Sequence, residues 1–378
     1  MQNDLLINVR SYETRIAHVQ NGDLVEFKIE RHSSPTIVGC IYKGKVLRVL
    51  PGMQAAFVDI GLERAAFLYV GDIRIDDGND ANLLSEDDEQ QKMIGDSSGS
   101  LENPSKTPIQ DLIKEGQYIL VQVSKDPIGN KGPRLTTHIS LPGRFIVFIP
   151  TVHHLGISRR IDDLNERQRL EEIIKQLKPK GGVIVRTAGE GATVEQLEVD
   201  LKYLTRLSEQ VMQRYNQTSG VSLVHGDLSV ELRALRDLLA EDITGVIVDD
   251  KIAYGQIKDF LSEFMPSYLN RLRLFPGPGE LFDEHDIELE ISRAMERKIW
   301  LKSGGYIIID ETEALVAIDV NTGSFVGRKD LDETILKTNL EAVKELCHQL
   351  RIRNCGGIII IDFIDMEREP HREKVMHQ

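Results

Sequence analysis

Two aspartates, Asp319 in V-A-I-D-V-N-T-G and Asp362 in I-I-I-I-D-F-I-D-M, constrain this chain more than any other residues. Each closes an apolar run that reads as a buried β-strand. Between them the pattern predicts one amphipathic helix from about Asp332 to Arg353, with Leu336, Leu340, Val343, Cys347 and Leu350 along one stripe. Asp332 and Glu333 suit the positive end of that helix, and Gly356-Gly357 ends it. Strand, crossover helix and strand make a βαβ unit, whose strands run parallel and are usually neighbours. The two carboxylates are then expected together at the carboxyl ends of adjacent strands, where open α/β sheets place their sites. Neither motif carries a cation that would neutralise the pair, so a divalent metal is the expected partner. Taken singly, each aspartate is equally well explained as a turn residue or a helix cap. The pairing is what favours a site.

Length and charge bound the rest. At 378 residues the chain is expected to hold two or more folding units. Its composition, 41% hydrophobic and 28% charged, is that of a soluble globular protein. No apolar stretch approaches about 18 residues and no signal peptide opens the chain, so a cytoplasmic protein without a membrane segment is expected. Cys40, Cys347 and Cys355 lack C-x-x-C spacing and fit reduced thiols, two of them buried against helix or strand. A net charge of −14 argues at first against a nucleic-acid partner. Half of it, however, lies between Asp76 and Pro108, a polar stretch with nine acids and two lysines that is expected to be a disordered loop. Elsewhere Lys43, Lys45, Lys125, Lys131, Arg134, Arg144 and Arg159-Arg160 form local basic clusters, so RNA is not excluded.

Along the chain, Leu5–Val9, Arg15–Val19 and Leu24–Ile29 read as a hairpin or meander with a turn at Asn21-Gly22. Five short strand-like pieces between about Thr36 and Thr137 suggest a small β-barrel of the OB type. F-I-V-F-I-P then reads as strand, Asp162–Leu177 as helix, G-V-I-V-R-T as strand, and Val194–Arg214 as a helix opened by a capping box of Thr193 with Gln196. Residues 229–272 read as αβα, F-P-G-P-G-E (275–280) as a loop, and Asp286–Trp300 as a helix with Ile287, Ile291 and Met295 on one face. Two motif matches fail on context. G-C-I-Y-K-G-K-V (39–46) lacks the Ser/Thr of a phosphate-binding loop and sits among strands, and G-D-S-S-G (95–99) lies in the acidic insert without a strand-to-helix turn.

Phe57 and Phe67 admit two readings: stacking of bases on a barrel face, at ~1–3 kcal/mol each, or filling of the barrel core. The residues alone favour the core, where Phe is common. Lys131 in G-N-K-G suits phosphate neutralisation. Arg186 and Thr187, at a strand end before a helix N-terminus, bring a guanidinium fork and a hydroxyl that suit a terminal phosphate. By themselves they are better explained as a salt bridge or cap.

Together these stretches resemble the ribonuclease E/G family. The likeness is carried by C-I-Y-K-G-K-V (40–46), P-G-M-Q-A-A-F-V-D-I-G-L (51–62), G-N-K-G (129–132), L-T-T-H-I-S-L-P (135–142), G-I-S-R-R-I (156–161), I-V-R-T-A-G-E-G (184–191), L-K-S-G-G-Y-I-I-I-D (301–310), A-I-D-V-N-T-G-S-F-V-G (317–327) and L-R-I-R-N-C-G-G-I-I-I-I-D-F-I-D-M (350–366). They run in family order through nearly the whole chain. The resemblance implies an α/β protein of several subdomains. An RNase H-like subdomain is expected at 1–35 and 232–295, an S1-type OB-fold barrel at 36–137 with its insert at 76–108, a 5′-phosphate sensor at 138–231, and a DNase I-like catalytic subdomain at 296–378.

It also implies a Mg2+-dependent endoribonuclease that cuts single-stranded RNA to 5′-phosphate and 3′-hydroxyl ends. Such an enzyme prefers 5′-monophosphorylated substrates and serves rRNA maturation and mRNA decay. Asp319 and Asp362 match the family's Mg2+ ligands, and Asn321 the residue that orients the first of them. Arg186 and Thr187 match the 5′-phosphate pocket, and Phe57, Phe67 and Lys131 the RNA-contacting barrel surface. For the two phenylalanines this reverses the preference for the core. The family continues past the position of Gln378 with the rest of the DNase I-like subdomain, a zinc-sharing C-P-x-C motif and a small oligomerisation domain, so the chain is expected to be incomplete. Zinc and homo-oligomer formation are accordingly expectations for full-length relatives, since the zinc ligands are absent from this chain. The alternative is a non-catalytic RNA-binding fragment that has lost turnover with its C-terminal region.

Overall fold

The computed structural model describes residues 2–73, 107–127, 129, 131–152, 154–239, 242–277, 281–323 and 331–378. The acidic insert, but for Thr107 and Pro108, and the 278–280 end of the 275–280 loop lie outside them. In chain order the first strands are β1 (Asn3–Val9), β2 (Glu13–Gln20), β3 (Asp23–Arg31), β4 (Ile41–Leu50), β5 (Ala55–Asp59), β6 (Ala66–Tyr69), β7 (Tyr118–Lys125) and β8 (Arg134–Thr136). There follow β9 (Leu141–Pro142), β10 (Ile146–Ile149), β11 (Leu155–Ile157), β12 (Gly182–Val185), β13 (Ser222–His225), β14 (Gly245–Val248) and β15 (Leu272–Leu274). The last are β16 (Lys298–Trp300), β17 (Tyr306–Glu311), β18 (Val316–Asn321) and β19 (Ile359–Asp362). The chain divides into two compact units, Met1–His32 with Glu241–Gln378, and Ser33–Ala240.

Among the described residues the first unit holds two sheets. One has the order β15-β14-β1-β2-β3, with β1 antiparallel to β2 and parallel to β14. The turn between β2 and β3 has Asn21 and Gly22 at φ 53° and 94°, the left-handed pair that a two-residue hairpin requires and that these residues tolerate best. The other sheet has the order β16-β17-β18-β19. Its first three strands are antiparallel, whereas β18 and β19 run parallel on either side of the helix Leu331–Ile352. This is the βαβ arrangement that the sequence pattern predicts.

That helix covers one face of the second sheet, burying Ala342 and Leu346 against Ile299, Ile307, Ile309, Ile318 and Val320. Its buried stripe differs from the expected one. Thr334, Thr338, Asn339, Ala342, Leu346 and Gln349 are buried, whereas Leu336, Leu340, Val343 and Leu350 are half-buried and Cys347 is exposed. Internal hydrogen bonds explain the shift. Thr338 Oγ1 donates to Thr334 O (3.0 Å) and Asn339 bonds the Ile364 backbone, so polar residues occupy places a hydrophobic pattern assigns to apolar ones. Cys40 and Cys355 are half-buried, so none of the three thiols is fully enclosed as expected. The expected helix Asp286–Trp300 is also shorter. It runs Ile287–Ala294, with Met295 exposed, and Lys298–Trp300 is drawn into the sheet as β16 by pairing with Tyr306–Ile308.

The second unit opens with a barrel. Strands β4, β5, β6, β8 and β7 pair in that order, β6 and β8 are parallel, and β4–β7 pairing closes the ring. Five strands so ordered make an OB-like barrel. Its filling is mainly aliphatic, with Val46, Ala56, Val58, Ala66, Leu68, Val121 and Leu135 buried together with Tyr42. The same unit holds the sheet β11-β12-β10-β9, whose core includes residues of the helices Leu164–Leu177 and Val194–Gln217. The expected capping box is formed: Gln196 N donates to Thr193 Oγ1 and Thr193 N donates to Gln196 Oε1. Thr193→Ala is expected to lower the stability of this unit by ~1 kcal/mol, read as an earlier urea midpoint. Among the described residues no helix is long and apolar enough to cross a membrane.

Candidate functional site

Asp319 and Asp362 are direct partners in the β18–β19 register, so their Cα atoms are one strand spacing apart, ~4.8 Å. Such partners project to the same side of a sheet. It is the side away from the crossover helix: Ile318 and Val320 join the core, while both aspartates are exposed. Asn321, two residues on, donates from Nδ2 to Asp319 Oδ2 at 2.7 Å. Two close approaches hold that corner. A Cβ on Gly305 would sit 2.6 Å from the Asn321 carbonyl oxygen, and one on Gly323 (φ 64°) 2.4 Å from the Gly304 oxygen. Behind Asp362, the fully buried Asn339 donates to Ile364 O (2.9 Å) and accepts from Ile364 N (3.2 Å). Sequence reasoning missed Asn339, although a small amide in mid-helix is a visible irregularity.

The same face carries a third carboxylate, Asp310 on β17, but Arg297 already binds it at 2.6 Å. That hydrogen bond and the charge of Arg297 hold the Asp310 carboxyl below its ordinary range. Among the described residues no three His, Cys, Asp or Glu side chains gather as a metal cluster. The geometry therefore offers two adjacent carboxylates with one amide in support.

On the barrel the registers line up Arg48, Phe57, Phe67 and Arg134 across β4, β5, β6 and β8. The two rings meet edge to face, centroids 6.2 Å apart at 72°. Phe57 is 37% exposed and Phe67 half-buried, whereas Ala56, Val58, Ala66 and Leu68 are buried. Neither ring fills the core, which corrects the reading that the residues alone favoured. Alternation along each strand gives the inside to small aliphatic groups and the outside to the aromatics. Arg134 is held by Asp72 at 2.7 Å, and Lys131 is exposed.

Arg186 follows β12 directly, and Thr187 opens the short turn Thr187–Gly189. Arg186 Nη1 donates to Gly143 O and to Asp237 Oδ1, both at 2.8 Å, and Thr187 Oγ1 lies 3.0 Å from Ser158 Oγ. Burial pushes the Asp237 carboxyl up, but the hydrogen bonds and charges of Arg236 and Arg186 outweigh it and hold it below the ordinary range. The salt bridge that a structural reading requires is thus present. Arg186 also lines a cavity of about 540 Å³ with Arg233, Arg236, Asp227, Gln122 and Thr136. Asp319, Asn321 and Asp362 belong to the first unit, and Phe57, Phe67, Lys131, Arg186 and Thr187 to the second.

Known proteins match the sequence along the whole chain. A sequence model described as Ribonuclease E/G family matches residues 140–378. Ribonuclease G of Escherichia coli (strain K12) is 45% identical over 378 residues, all of this chain and 74% of that relative. Ribonuclease G of Haemophilus influenzae is 45% identical over 374 residues, 99% of this chain and 73% of that relative. Ribonuclease E of Haemophilus influenzae is 38% identical over 375 residues, covering 98% of this chain and 38% of its own length. A match of this extent, over both units and both aspartates, means that the chain belongs to the ribonuclease E/G family.

Proposed function

We propose that this chain is an endoribonuclease that cuts single-stranded RNA to 5′-phosphate and 3′-hydroxyl ends, with Mg2+ held by Asp319 and Asp362. One observation carries the reading: two carboxylates in direct register on the open face of a sheet, in a chain of a ribonuclease family. The donor set suits the ion. Mg2+ prefers oxygen ligands, is commonly held by one or two carboxylates, and keeps several waters, for which an exposed site has room. When bound it would polarise the phosphodiester and lower the pKa of a water. The chain's own residues do the rest. Asn321 holds one oxygen of Asp319, and Asn339 holds the backbone that follows Asp362. Phe57 and Phe67 offer rings to bases, Arg48 stands beside Phe57 in the register, and the exposed Lys131 is assigned to a phosphate.

The finer parts of the reading follow the family. The five-stranded sheet of the first unit is assigned to an RNase H-like subdomain, the βαβ sheet to a DNase I-like one, and the barrel to the S1 type. The expected setting is the cytoplasm, in rRNA maturation and mRNA decay. Incubating a short 5′-monophosphorylated A/U-rich RNA with the protein, with Mg2+ or with EDTA, tests the core claim. Products with Mg2+ alone support it; a gel shift without products in Mg2+ overturns it in favour of a non-catalytic RNA-binding protein.

Arg186 and Thr187 are assigned to a pocket for the 5′-monophosphate, in which Asp237 orients the guanidinium until phosphate arrives. Charge-assisted hydrogen bonds of this kind contribute ~1.5–3 kcal/mol. Arg186→Ala is therefore expected to narrow the rate preference for 5′-monophosphorylated over 5′-hydroxyl RNA by about tenfold or more. An unchanged preference would remove Arg186 from this role.

A further inference from the structure

The open face that carries the carboxylates also carries an aromatic cluster with no role so far. Across the sheet, Trp300 on β16 pairs with Tyr306 on β17, and Tyr306 with Asn321 on β18. The neighbouring row runs Lys298, Ile308, Asp319 and Asp362. All of these residues therefore project to one side of the sheet. The Trp300 and Tyr306 rings meet edge to face with centroids 5.3 Å apart. Lys298 Nζ lies 4.0 Å from the Trp300 ring centroid and 3.6 Å from that of Tyr306. Trp300 nevertheless remains 56% exposed.

Fold stability gives little account of this cluster. A cation over an exposed ring contributes only ~0.5–1 kcal/mol. Most of the Trp300 surface stays in water, although the opposite face of the same sheet holds the packed core. Binding explains it better. Rings fixed on paired strands need little ordering, and a flat aromatic surface beside an ammonium group is the chemistry that holds a base and its phosphate. The separation fits as well. From β16 to β18 is two strand spacings, ~10 Å, so a nucleotide on Trp300 would neighbour the one held at Asp319 and Asp362 rather than compete with it. Arg297, the neighbouring cation in sequence, is engaged by Asp310, whereas Lys298 stands against both rings.

We propose that Trp300, Tyr306 and Lys298 form a stacking platform for the base and phosphate of a nucleotide adjoining the scissile bond of single-stranded RNA. This rests on the endoribonuclease reading and adds to it a hold on the substrate built into the carboxylate-bearing sheet itself.

Trp300 is the sole tryptophan of the chain, so its emission reports on this one position. The protein is titrated in EDTA, where no cleavage intervenes, with a short single-stranded RNA. Tryptophan emission and the anisotropy of a dye-labelled copy of the RNA are followed side by side. The expected result is emission that changes along the anisotropy curve with one shared Kd, together with weaker quenching by acrylamide. Trp300→Ala is expected to raise KM about tenfold with kcat within about twofold, and Trp300→Phe to recover most of the loss. Lys298→Gln, a milder change, is expected to lower the slope of log Kd against log salt by about one phosphate contact. RNA that binds by anisotropy while emission stays flat, or a Trp300→Ala protein with unchanged KM, overturns the platform and leaves the nuclease reading intact. Emission that changes with protein concentration alone assigns the face to a second copy and likewise overturns it. No RNA binding at all overturns both.

Discussion

Asp319→Asn and Asp362→Asn are each expected to lower RNA cleavage by ~10³-fold or more while moving RNA affinity by less than about threefold. A metal-centred hydrolysis draws several kcal/mol of transition-state stabilisation from the ion, and each ~1.4 kcal/mol is a factor of ten. Either substitution exchanges an anionic ligand for a neutral amide, and each aspartate's register partner is the other. Neither variant is expected to unfold, because both side chains are exposed and such positions usually change stability by ~0.5 kcal/mol or less. Asp310→Asn is the matched control. It lies on the same face but is already engaged by Arg297, so cleavage by that variant is expected to stay within about threefold of the parent. Single-turnover cleavage at saturating RNA, with binding followed separately in EDTA, separates the two effects. Full activity of either Asp319→Asn or Asp362→Asn would remove the pair from the chemistry.

The βαβ core of that site was readable because it depends on local pattern alone. Two apolar runs, one helix and the preference for adjacent parallel strands place Asp319 beside Asp362 without any long-range knowledge. Where pairing between distant residues decides the outcome, the pattern misled. Lys298–Trp300 continues a helical periodicity, yet becomes β16 because Tyr306–Ile308 supply hydrogen-bond partners. The crossover helix departs from its hydrophobic pattern for a different reason. It packs on β18 and also meets β3, so more than one side is covered and its side-chain hydrogen bonds let Thr338 and Asn339 be buried. The barrel phenylalanines show the limit of residue identity as a guide. Phe is usually inside, but the strand period gives the interior to Ala56, Val58, Ala66 and Leu68 and leaves Phe57 and Phe67 outside. The salt bridge of Arg186 with Asp237 was foreseen in kind but not in partner, because the two residues lie 51 positions apart.

Asn339→Leu is expected to destabilise the first unit by ~3–5 kcal/mol. The amide makes both hydrogen bonds of the Ile364 backbone, as a neighbouring strand would, and is itself fully buried. Leucine has nearly the same reach, so packing changes little. It leaves one N–H and one C=O without their protein partner, each costing ~1–3 kcal/mol where water cannot replace it. Asn339→Asp separates this clamp from simple filling of space. A carboxyl group can donate to Ile364 O only when protonated, and burial beside a carbonyl raises its pKa in the folded state. A folded-state pKa raised in this way means stability that is present at acid pH and lost as pH rises above the unfolded value. The aspartate variant is therefore expected to be more stable in mildly acidic than in mildly alkaline urea titrations, relative to the parent. The leucine variant has no such dependence. Ile364 follows Asp362 by two residues, so loss of the clamp frees the very segment that sets this carboxylate against Asp319. Weaker retention of Mn2+ by Asn339→Asp at alkaline pH, measured by electron paramagnetic resonance on folded protein, would tie that stability change to the metal site. A loss below ~1 kcal/mol in Asn339→Leu would show instead that the Ile364 backbone finds other partners and that the helix does not position Asp362.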